Sequence, residues 1–490
     1  MLGALRPTTE PSLTQERSLM SGIRAHGAYI PRTRLPLSLI AGRPAKDGGP
    51  EKAVAYDDED SLTMAVDAAV DCLRGFDREE VDGLYLATTS YGLREKQGAA
   101  VVAKALDLRR DVHTVDVSGS LRAGTSAIDA ALNAVGAGAA KNVLVVASDC
   151  RMGAPRGALE SKLGDGAAAF LVGKDAPIAK VLSSHAVSAE LQDYWRLDGE
   201  RFTHQWEDRF VVEEGYVPSM IEALRGAIEK SGKTAADFSK AALFTPEARS
   251  VGGVMKKVGL RPEQLQDFLF GRLGNAGAAF TPILLVAALE TARAGDRLLA
   301  ASYGDGAHAF AFEVTDAIGK LPQRRGVRGH LDRRRPLKSY DSYLRSRGLD
   351  PKEWSAGADL GLSATVRYRE RDADIGFVGA RCFECGQVHF PKTRVCYRCH
   401  SKDKWEPHRL SDKQGRVLSY TFDYFFPTAE PPTIMIMTEV DGARVQVQLT
   451  NAEPADAKLD MPVEYVFRKI HNAGGKPNYF WKASPVLEGV

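Results

Sequence analysis

Four cysteines crowd into one short stretch of this 490-residue chain, RCFECGQVHFPKTRVCYRCHS. They form two C-x-x-C pairs with ten residues between the pairs: Cys382, Cys385, Cys396 and Cys399. Four thiolates at this spacing can close a tetrahedral zinc site, and four sulfur ligands leave no open position for catalysis. The sequence therefore predicts a structural zinc ribbon, in which His389 and His400 do not bind the metal.

The bulk composition narrows the class of protein. Apolar residues make up 44% and charged residues 26% of the chain, as in an ordinary globular protein. A net charge of +2 gives no electrostatic case for a nucleic-acid partner. No run approaches the ~18 apolar residues of a membrane helix, and residues 1–20 lack the apolar core of a signal peptide. We expect a cytoplasmic protein with no membrane partner, and residues 1–20 as a tail.

Apolar runs separated by helical patterns fill the first 315 residues. Residues 61–75 place Leu62, Val66 and Leu73 on one helical face, with Gly75 available to end the helix. Four further runs are predicted strands: 81–88, 112–117, 142–148 and 167–173. Buried strands separated by helices predict an α/β layered fold.

A Gly-Asp-Gly turn followed by an apolar strand occurs twice. The first copy, LGDGAAAFLVG, spans residues 163–173, and the second, YGDGAHAFAFEV, spans residues 303–314. A turn–strand unit that repeats about one subdomain apart indicates a duplicated core. We therefore expect two related halves, residues 21–180 and 181–318.

A basic segment, residues 319–338, interrupts this pattern with six arginines, two prolines and three glycines. We interpret it as a solvated linker between domains. The alternative is a phosphate-binding strip for a nucleotide-bearing ligand such as coenzyme A, formed by Arg324, Arg325 and Arg328.

Beyond the linker, a helical lead-in and the zinc ribbon fill residues 339–410, and a strand-rich tail fills residues 411–490. The tail has five runs of alternating β-branched and aromatic residues: 415–426, 433–440, 443–450, 461–470 and 477–484. Short strands with turn residues between them predict a small β-barrel.

The motifs of both parts match known families. CFEC…CYRC, GRVLSYT and LTNAEPADAKLDMPVEYVF resemble the zinc-ribbon/OB-fold domain that accompanies thiolases and archaeal HMG-CoA synthases. GIRAHGAYIPRTRL, NVLVVASDCRMG, DYWR, RLGNAGAAF and ASYGDGAHA resemble, in order, the HMG-CoA synthase branch of the thiolase superfamily. The resemblance implies a duplicated thiolase-like α/β fold followed by a rubredoxin-like zinc ribbon and an OB-fold barrel.

The same resemblance implies a catalytic cysteine, glutamate and histidine, and this sequence departs from the family at all three. DVSGSLRAGTSA places Leu121 at the cysteine, and LYLATTSYG places Thr89, or Ser90, at the glutamate. ALFTPEAR places Phe244, or its neighbour Thr245, at the histidine. Leucine can neither take an acyl group nor move a proton, so the usual condensing chemistry is not expected here.

Three functions stay open, each with a coenzyme A thioester as ligand or substrate. The first is a non-catalytic subunit, in a homodimer or heterotetramer, whose partner is a catalytically active thiolase-type chain. The second is a retro-aldol lyase of a 3-hydroxyacyl-CoA that uses Tyr91, His308 and Asn275, the asparagine that agrees with the family. The third is an acyltransferase with its acyl group on Cys150. A fourth possibility, that the zinc ribbon and the barrel bind nucleic acid, conflicts with the low net charge of the chain.

Overall fold

The computed structural model describes residues 21–350, 364–426, 428–473 and 476–486. The predicted tail, residues 1–20, lies outside them. The strands before the zinc ribbon are β1 (Gly22–Tyr29), β2 (Thr33–Pro36), β3 (Glu51–Ala53), β4 (Gly83–Ala87), β5 (His113–Val117), β6 (Asn142–Asp149), β7 (Gly166–Gly173), β8 (Ala179–Ser188), β9 (Tyr194–Trp195), β10 (His204–Gln205), β11 (Lys240–Leu243), β12 (Arg297–Tyr303), β13 (Gly306–Val314) and β14 (Arg335–Pro336).

The helices surround these strands. They are α1 (Leu37–Ile40), α2 (Ser61–Cys72), α3 (Gly98–Ala105), α4 (Ala123–Gly136), α5 (Asp208–Phe210), α6 (Val217–Lys230), α7 (Val251–Val258), α8 (Phe280–Leu289), α9 (Gly326–Asp332), α10 (Tyr340–Ser346) and α11 (Ala364–Asp374). A π-helical turn, Val211–Tyr216, joins α5 to α6. Short 3₁₀ turns lie at Arg78–Glu80, Ala235–Asp237, Pro262–Gln264, Gly277–Ala279, Asp316–Lys320 and Pro454–Asp456.

Helix α2 shows how local chemistry fixes an element. The Asp60 carboxylate accepts hydrogen bonds from the backbone N–H groups of Leu62 and Thr63, and the Thr63 hydroxyl accepts from the Asp60 N–H. This reciprocal arrangement satisfies donors that the first helical turn leaves unpaired. The predicted helix over residues 61–75 is therefore confirmed, although it ends at Cys72.

Nine of the described strands form one mixed sheet in the order β11-β12-β13-β8-β1-β7-β6-β4-β5. Strands β4, β5 and β6 pair in parallel, whereas β6 and β7 pair antiparallel. At the other end, β11 pairs in parallel with β12, and β12 pairs antiparallel with β13. The two Gly-Asp-Gly turns introduce β7 and β13, which occupy matching places. The duplicated α/β fold is confirmed.

The C-terminal part contains the strands β15 (Val378–Cys382), β16 (Val388–His389), β17 (Trp405–Arg409), β18 (Gln414–Asp423), β19 (Thr433–Val440), β20 (Ala443–Leu449), β21 (Pro462–Ala473) and β22 (Lys476–Pro485). Strands β16, β15 and β17 make the small sheet of the zinc ribbon. Strands β18 to β22 close into a barrel in the order β18-β19-β20-β22-β21. The predicted ribbon and five-stranded barrel are both confirmed.

The basic segment is not solvated as we expected. Val327, His330 and Arg333 are buried, and residues 326–332 form α9. Arg325 and Arg333 both contact the Glu464 carboxylate of the barrel, at 3.0 and 3.4 Å. Arg334 in turn pairs with Glu51 of the N-terminal domain at 3.0 Å. Because carboxylates of both domains receive arginines of this segment, it packs between the domains instead of standing in water.

Candidate active-site cleft and metal centre

A cleft of about 810 Å³ opens where β4 and β5 end. Its walls come from the loop after β4, the elbow between β5 and α4, the β9–β10 hairpin and the second Gly-Asp-Gly turn. Loops that follow neighbouring parallel strands meet at one edge of a sheet, which is a common place for ligand sites. The volume lies in the range of small-molecule pockets, about 300–1,000 Å³.

The elbow carries Leu121 into this cleft as a buried side chain that is 8% exposed. The next side chain, Arg122, turns away and donates to the carbonyl oxygens of Val187 and Ala307, at 2.7 and 3.3 Å. Gly304 packs so closely on the elbow that a Cβ there would lie 2.9 Å from the Leu121 nitrogen. The backbone thus forms a strand-to-helix elbow, and a hydrocarbon side chain occupies the position predicted for the nucleophile.

Thr89, at the predicted glutamate position, is bound to a buried carboxylate. Its N–H and hydroxyl donate to Asp149 at 2.7 and 2.8 Å, and the Ser90 hydroxyl donates to the same group at 2.9 Å. The Ala278 N–H adds a bond of 2.8 Å. Sequence reasoning missed Asp149, although it ends the quoted strand NVLVVASD. Neither hydroxyl is free to act as a base, because both donate to this carboxylate.

Phe244, at the predicted histidine position, belongs to the core. Its ring is fully buried and packs against Tyr216, Phe280 and Tyr303 at centroid distances of 6.5, 5.8 and 6.0 Å. The neighbouring Thr245 is also fully buried. The predicted histidine position is thus occupied by one ring of an aromatic cluster, and such a ring cannot exchange protons with a substrate.

Asn275 and Arg151 meet beside the cleft floor. The Asn275 amide oxygen accepts from the Gly277 N–H at 3.0 Å and from Arg151 Nη2 at 3.3 Å. Arg151 lines the cleft as a buried side chain, and burial lowers the pKa of its guanidinium. Its Nε has no hydrogen-bond partner among the described residues. Sequence reasoning missed this cation, which can bind a carbonyl or carboxylate oxygen of a ligand.

Asp193, the first residue of the quoted DYWR motif, also lines the cleft. Its Oδ1 accepts from the Tyr194 N–H at 2.6 Å, and the Tyr303 hydroxyl also interacts with this carboxyl. Burial is the largest cause that raises the pKa of this carboxyl above its usual value. A carboxyl held this way can exchange protons closer to neutral pH than an exposed aspartate.

The structure separates the other residues that we considered for chemistry. Tyr91 lines the cleft, and burial raises the pKa of its phenol to about 12. His308 lies elsewhere, buried 3.8 Å from the Asp129 carboxylate, and burial lowers the pKa of its imidazole to about 4. Cys150 does not line the described cleft, and burial raises the pKa of its thiol to about 12, which disfavours a thiolate.

The three arginines of the predicted phosphate strip point to different places. Arg324 donates to the backbone oxygens of Cys72 and His26, at 2.9 and 2.7 Å. Arg325 binds Glu464, whereas Arg328 is exposed. None of the three is among the described residues that line the cleft. Phosphate binding by these side chains stays a prediction.

The four cysteine sulfurs converge as a metal site requires. All four Sγ atoms lie within 4.8 Å of one another, and Cys382 with Cys399 and Cys385 with Cys396 are both 3.6 Å apart. A tetrahedral zinc ion with Zn–S bonds of about 2.3 Å separates its sulfurs by about 3.8 Å, so the donor set fits zinc. His389 Nε2 lies 3.3 Å from Cys396 Sγ, beside the ligand set and not within it.

No helix among the described residues is long and apolar enough to cross a membrane.

Comparison with known proteins agrees with this geometry. Hydroxymethylglutaryl-CoA synthases of Methanocaldococcus jannaschii and Archaeoglobus fulgidus are each 31% identical over 341 residues, covering 67% of this chain and 99% and 98% of theirs. Residues 369–405 match the family model described as ChsH2, rubredoxin-like zinc ribbon domain.

Solved structures match the same region. Aquifex aeolicus 3-oxoacyl-[acyl-carrier-protein] synthase III covers 60% of this chain and 99% of its own, with 25% identity and a TM-score of 0.53. An HMG-CoA synthase complexed with CoA covers 70% of this chain and 94% of its own, with 20% identity and a TM-score of 0.61. This chain belongs to the hydroxymethylglutaryl-CoA synthase family of the thiolase superfamily, and it continues into a rubredoxin-like zinc ribbon and a five-stranded barrel.

Proposed function

We propose that this chain binds a coenzyme A thioester in its cleft without forming an acyl-enzyme. We propose further that it acts as a subunit of a thiolase-type complex that makes or breaks carbon–carbon bonds. The observation that carries the proposal is Leu121, which stands in the open cleft where the elbow would present a nucleophile.

The chemical groups of the usual reaction are replaced together. A thioester exchange needs a thiolate and a group that moves protons. Thr89 donates its hydroxyl to Asp149, and Phe244 lies in an aromatic core. One altered residue could reflect a shifted nucleophile, but the three replacements leave the elbow without its base as well.

The cleft nevertheless keeps the properties of a binding site. It remains about 810 Å³ in volume, and Arg151 and Arg196 supply cations to its lining. A relative of the same fold was solved with CoA bound. The open volume and these two cations support thioester binding by this chain, and because the nucleophile is missing the proposal assigns the bond-making step to a partner with an intact cysteine.

Two measurements on the full-length, zinc-loaded protein test the proposal. Titration calorimetry with acetyl-CoA should show binding, and the intact mass after incubation should show no acyl adduct. Ser120→Trp, which fills the cleft from its rim, should abolish binding, whereas Ser239→Trp on the far surface should not. A stoichiometric acyl adduct on the wild-type chain would overturn the non-catalytic assignment.

The partner requires a separate test. The tagged chain, purified from its native host, should bring down an equimolar thiolase-fold protein that retains its cysteine. Recovery of the chain alone, under conditions in which it still binds acetyl-CoA, would contradict the subunit assignment and leave the binding assignment standing.

Asp193 favours a second candidate, a lyase that cleaves a 3-hydroxyacyl-CoA. The Asp193 carboxylate would take the proton of the 3-hydroxyl, the C2–C3 bond would break, and C3 would become a carbonyl. The electron pair would pass to C2 as a thioester enolate, and a proton returned to C2 would complete a shorter acyl-CoA. Arg151 would stabilise the enolate oxygen.

The lyase candidate predicts that turnover depends on the Asp193 carboxylate. Asp193→Asn should abolish release of the carbonyl product, whereas Asp198→Asn should not, because that carboxylate lies at the exposed rim and pairs with Arg94. Equal turnover by the two variants would remove this candidate.

A further inference from the structure

Two arginines that line the cleft have no carboxylate partner among the described residues. Arg151 is 5% exposed, its Nη2 donates to the amide oxygen of Asn275 at 3.3 Å, and its Nε is unpaired within the described part of the chain. Arg196 donates from Nη2 to the backbone oxygen of Thr89 at 2.8 Å. A guanidinium has five N–H donors and keeps its charge at neutral pH. Since neutral oxygens bind both cations, each keeps donors and positive charge for an anionic ligand.

Carboxylates that line the cleft bind other groups. Asp116 accepts from two backbone N–H groups at the start of α3, at 2.7 and 2.8 Å, and Asp198 pairs with Arg94 at the exposed rim. Arg196 lies close enough to Arg151 that its charge adds to burial in lowering the pKa of that guanidinium. A buried cation without a counter-ion is costly, so we expect a ligand to supply the negative charge.

Thr203 adds an unpaired hydroxyl to the same wall of the cleft. It lines the cleft and is 8% exposed, and its N–H donates to the Met152 carbonyl at 2.8 Å, which places it beside Arg151. Its Oγ1 has no hydrogen-bond partner within the described residues. Buried hydroxyl groups are normally hydrogen-bonded, so this one also has a donor for a ligand. We call Arg151, Arg196 and Thr203 the anion subsite.

The anion subsite shares the floor of the cleft with the elbow. A Cβ at Gly124, in the first turn of α4, would collide with the Ala278 carbonyl, and a Cβ at Gly277 would lie 2.7 Å from Arg151 Nε. Only a short piece of backbone, residues 277–278, therefore separates the helix that starts after Leu121 from this guanidinium. A thioester held at the elbow has its acyl group along this floor, while the nucleotide of coenzyme A extends towards the exposed rim.

We propose that the acyl group of the bound thioester carries a second carboxylate, which the anion subsite holds, so that the ligand is the coenzyme A thioester of a dicarboxylic acid. A guanidinium binds a carboxylate through two parallel N–H···O bonds, and the Thr203 hydroxyl donates a further bond. The inference rests on the proposed function, since it requires that the cleft binds a thioester. It commits Arg151 to a carboxylate and so excludes the enolate contact of the lyase candidate.

Calorimetry on the full-length, zinc-loaded protein tests the ligand class with two matched pairs of thioesters. Succinyl-CoA is compared with butyryl-CoA, and glutaryl-CoA with pentanoyl-CoA, because the members of each pair have equal carbon number and differ in the second carboxylate. In at least one pair the dicarboxylic member should bind at least about tenfold more tightly. Equal affinities within both pairs would overturn the inference.

Variants assign the preference to the anion subsite. Arg151→Met removes the charge and should bring the two members of the pair to within about twofold, with the binding of the monocarboxylic thioester unchanged. Thr203→Val removes only a hydroxyl, should lower the preference at least about threefold, and gives the same readout if Arg151→Met does not fold. Arg249→Met is the matched control and should keep the preference, because Arg249 lies outside the described lining of the cleft and pairs in solvent with Glu247 at 2.8 Å.

Two further outcomes separate the sources of the negative charge. If Arg151→Met weakens free coenzyme A, monocarboxylic and dicarboxylic thioesters equally, the subsite binds a phosphate of coenzyme A, and the inference is overturned while thioester binding stands. If the wild-type chain binds none of these thioesters, the proposed function fails, and this inference fails with it.

Discussion

Arg468 of the barrel donates from Nη1 to the Asp67 carboxylate of α2 at 2.7 Å, across 401 positions of sequence. The guanidinium is almost wholly buried, and its Nη2 donates to the Tyr29 hydroxyl at 2.9 Å and lies 3.4 Å from the Glu59 carboxylate. Lys482 adds a 3.0 Å contact to Asp58. Since these charges satisfy one another away from water, the barrel is fixed on the N-terminal domain in one orientation.

Removing the Arg468 guanidinium should be costly. Arg468→Met leaves two carboxylates buried without their cation, and we expect the free energy of unfolding to fall by about 3–5 kcal/mol. Arg416→Met is the matched control: its 2.6 Å contact with Asp460 is exposed, so the expected loss is below about 1 kcal/mol. Urea unfolding followed by circular dichroism measures both. Similar losses for the two variants would contradict a structural role of the buried network.

Zinc should hold the ribbon and its contact with the barrel. Cys396→Ser removes one of four ligands, so we expect metal content to fall well below the about one ion per chain of an intact site. Hydrogen exchange should rise over residues 378–409, including Gln387, which donates to the Gly442 carbonyl at 2.8 Å. Cys150→Ser, outside the cluster, should keep its zinc. Full zinc content in Cys396→Ser, measured by elemental mass spectrometry, would refute the assignment of the ligands.

A thiol introduced at the elbow should allow the chain to take up an acyl group. Leu121→Cys places sulfur at the start of α4, where the helix dipole favours a thiolate. We expect this variant to acquire an acyl group slowly from acetyl-CoA, because no base assists it. Leu121→Ser should not, since a hydroxyl needs such a base. Intact mass spectrometry distinguishes them, and an equal adduct on both variants would show that the acyl group sits elsewhere.

Acid should weaken the fold partly through His308. Burial lowers the pKa of this imidazole to about 4, from 6.5 in an unfolded chain. The unfolded state therefore binds more protons, and stability falls as the pH drops from about 6.5 towards 4. His308→Gln should reduce that fall, measured as urea midpoints across this pH range at constant ionic strength. Identical pH dependence in the two proteins would mean that His308 does not contribute.

The regular elements were predictable because their causes are local. Apolar runs predicted β4, β6 and β7 closely, and the two Gly-Asp-Gly turns revealed the duplicated sheet. The zinc ligands were predictable because C-x-x-C spacing alone brings two sulfurs together in a turn. The positions predicted for the catalytic groups, Thr89, Leu121 and Phe244, all follow the ends of strands, and their catalytic correspondence stays a prediction.

The cleft lining and the domain contact were harder to predict because their causes are distant in sequence. Asp149 acquires its role from hydroxyls about 60 positions earlier and an N–H 129 positions later. Arg151 and Asp193 are ordinary charged residues until folding buries them. The arginines of residues 319–338 were predicted to be solvated because the carboxylates with which they pair, such as Glu464, lie in another domain.

The arginines between the domains also have a consequence for how the molecule could be divided. Arg325 and Arg333 belong to the N-terminal side of such a division, and both pair with Glu464 of the barrel. Arg335 lies 2.7 Å from the Glu453 carboxylate. If the chain were cut after residue 350, the N-terminal fragment would thus retain the arginines that pair with the carboxylates of the barrel. The two pieces, produced separately, have the matching surfaces of a fragment-complementation pair, so their association depends on geometry more than on the covalent tether.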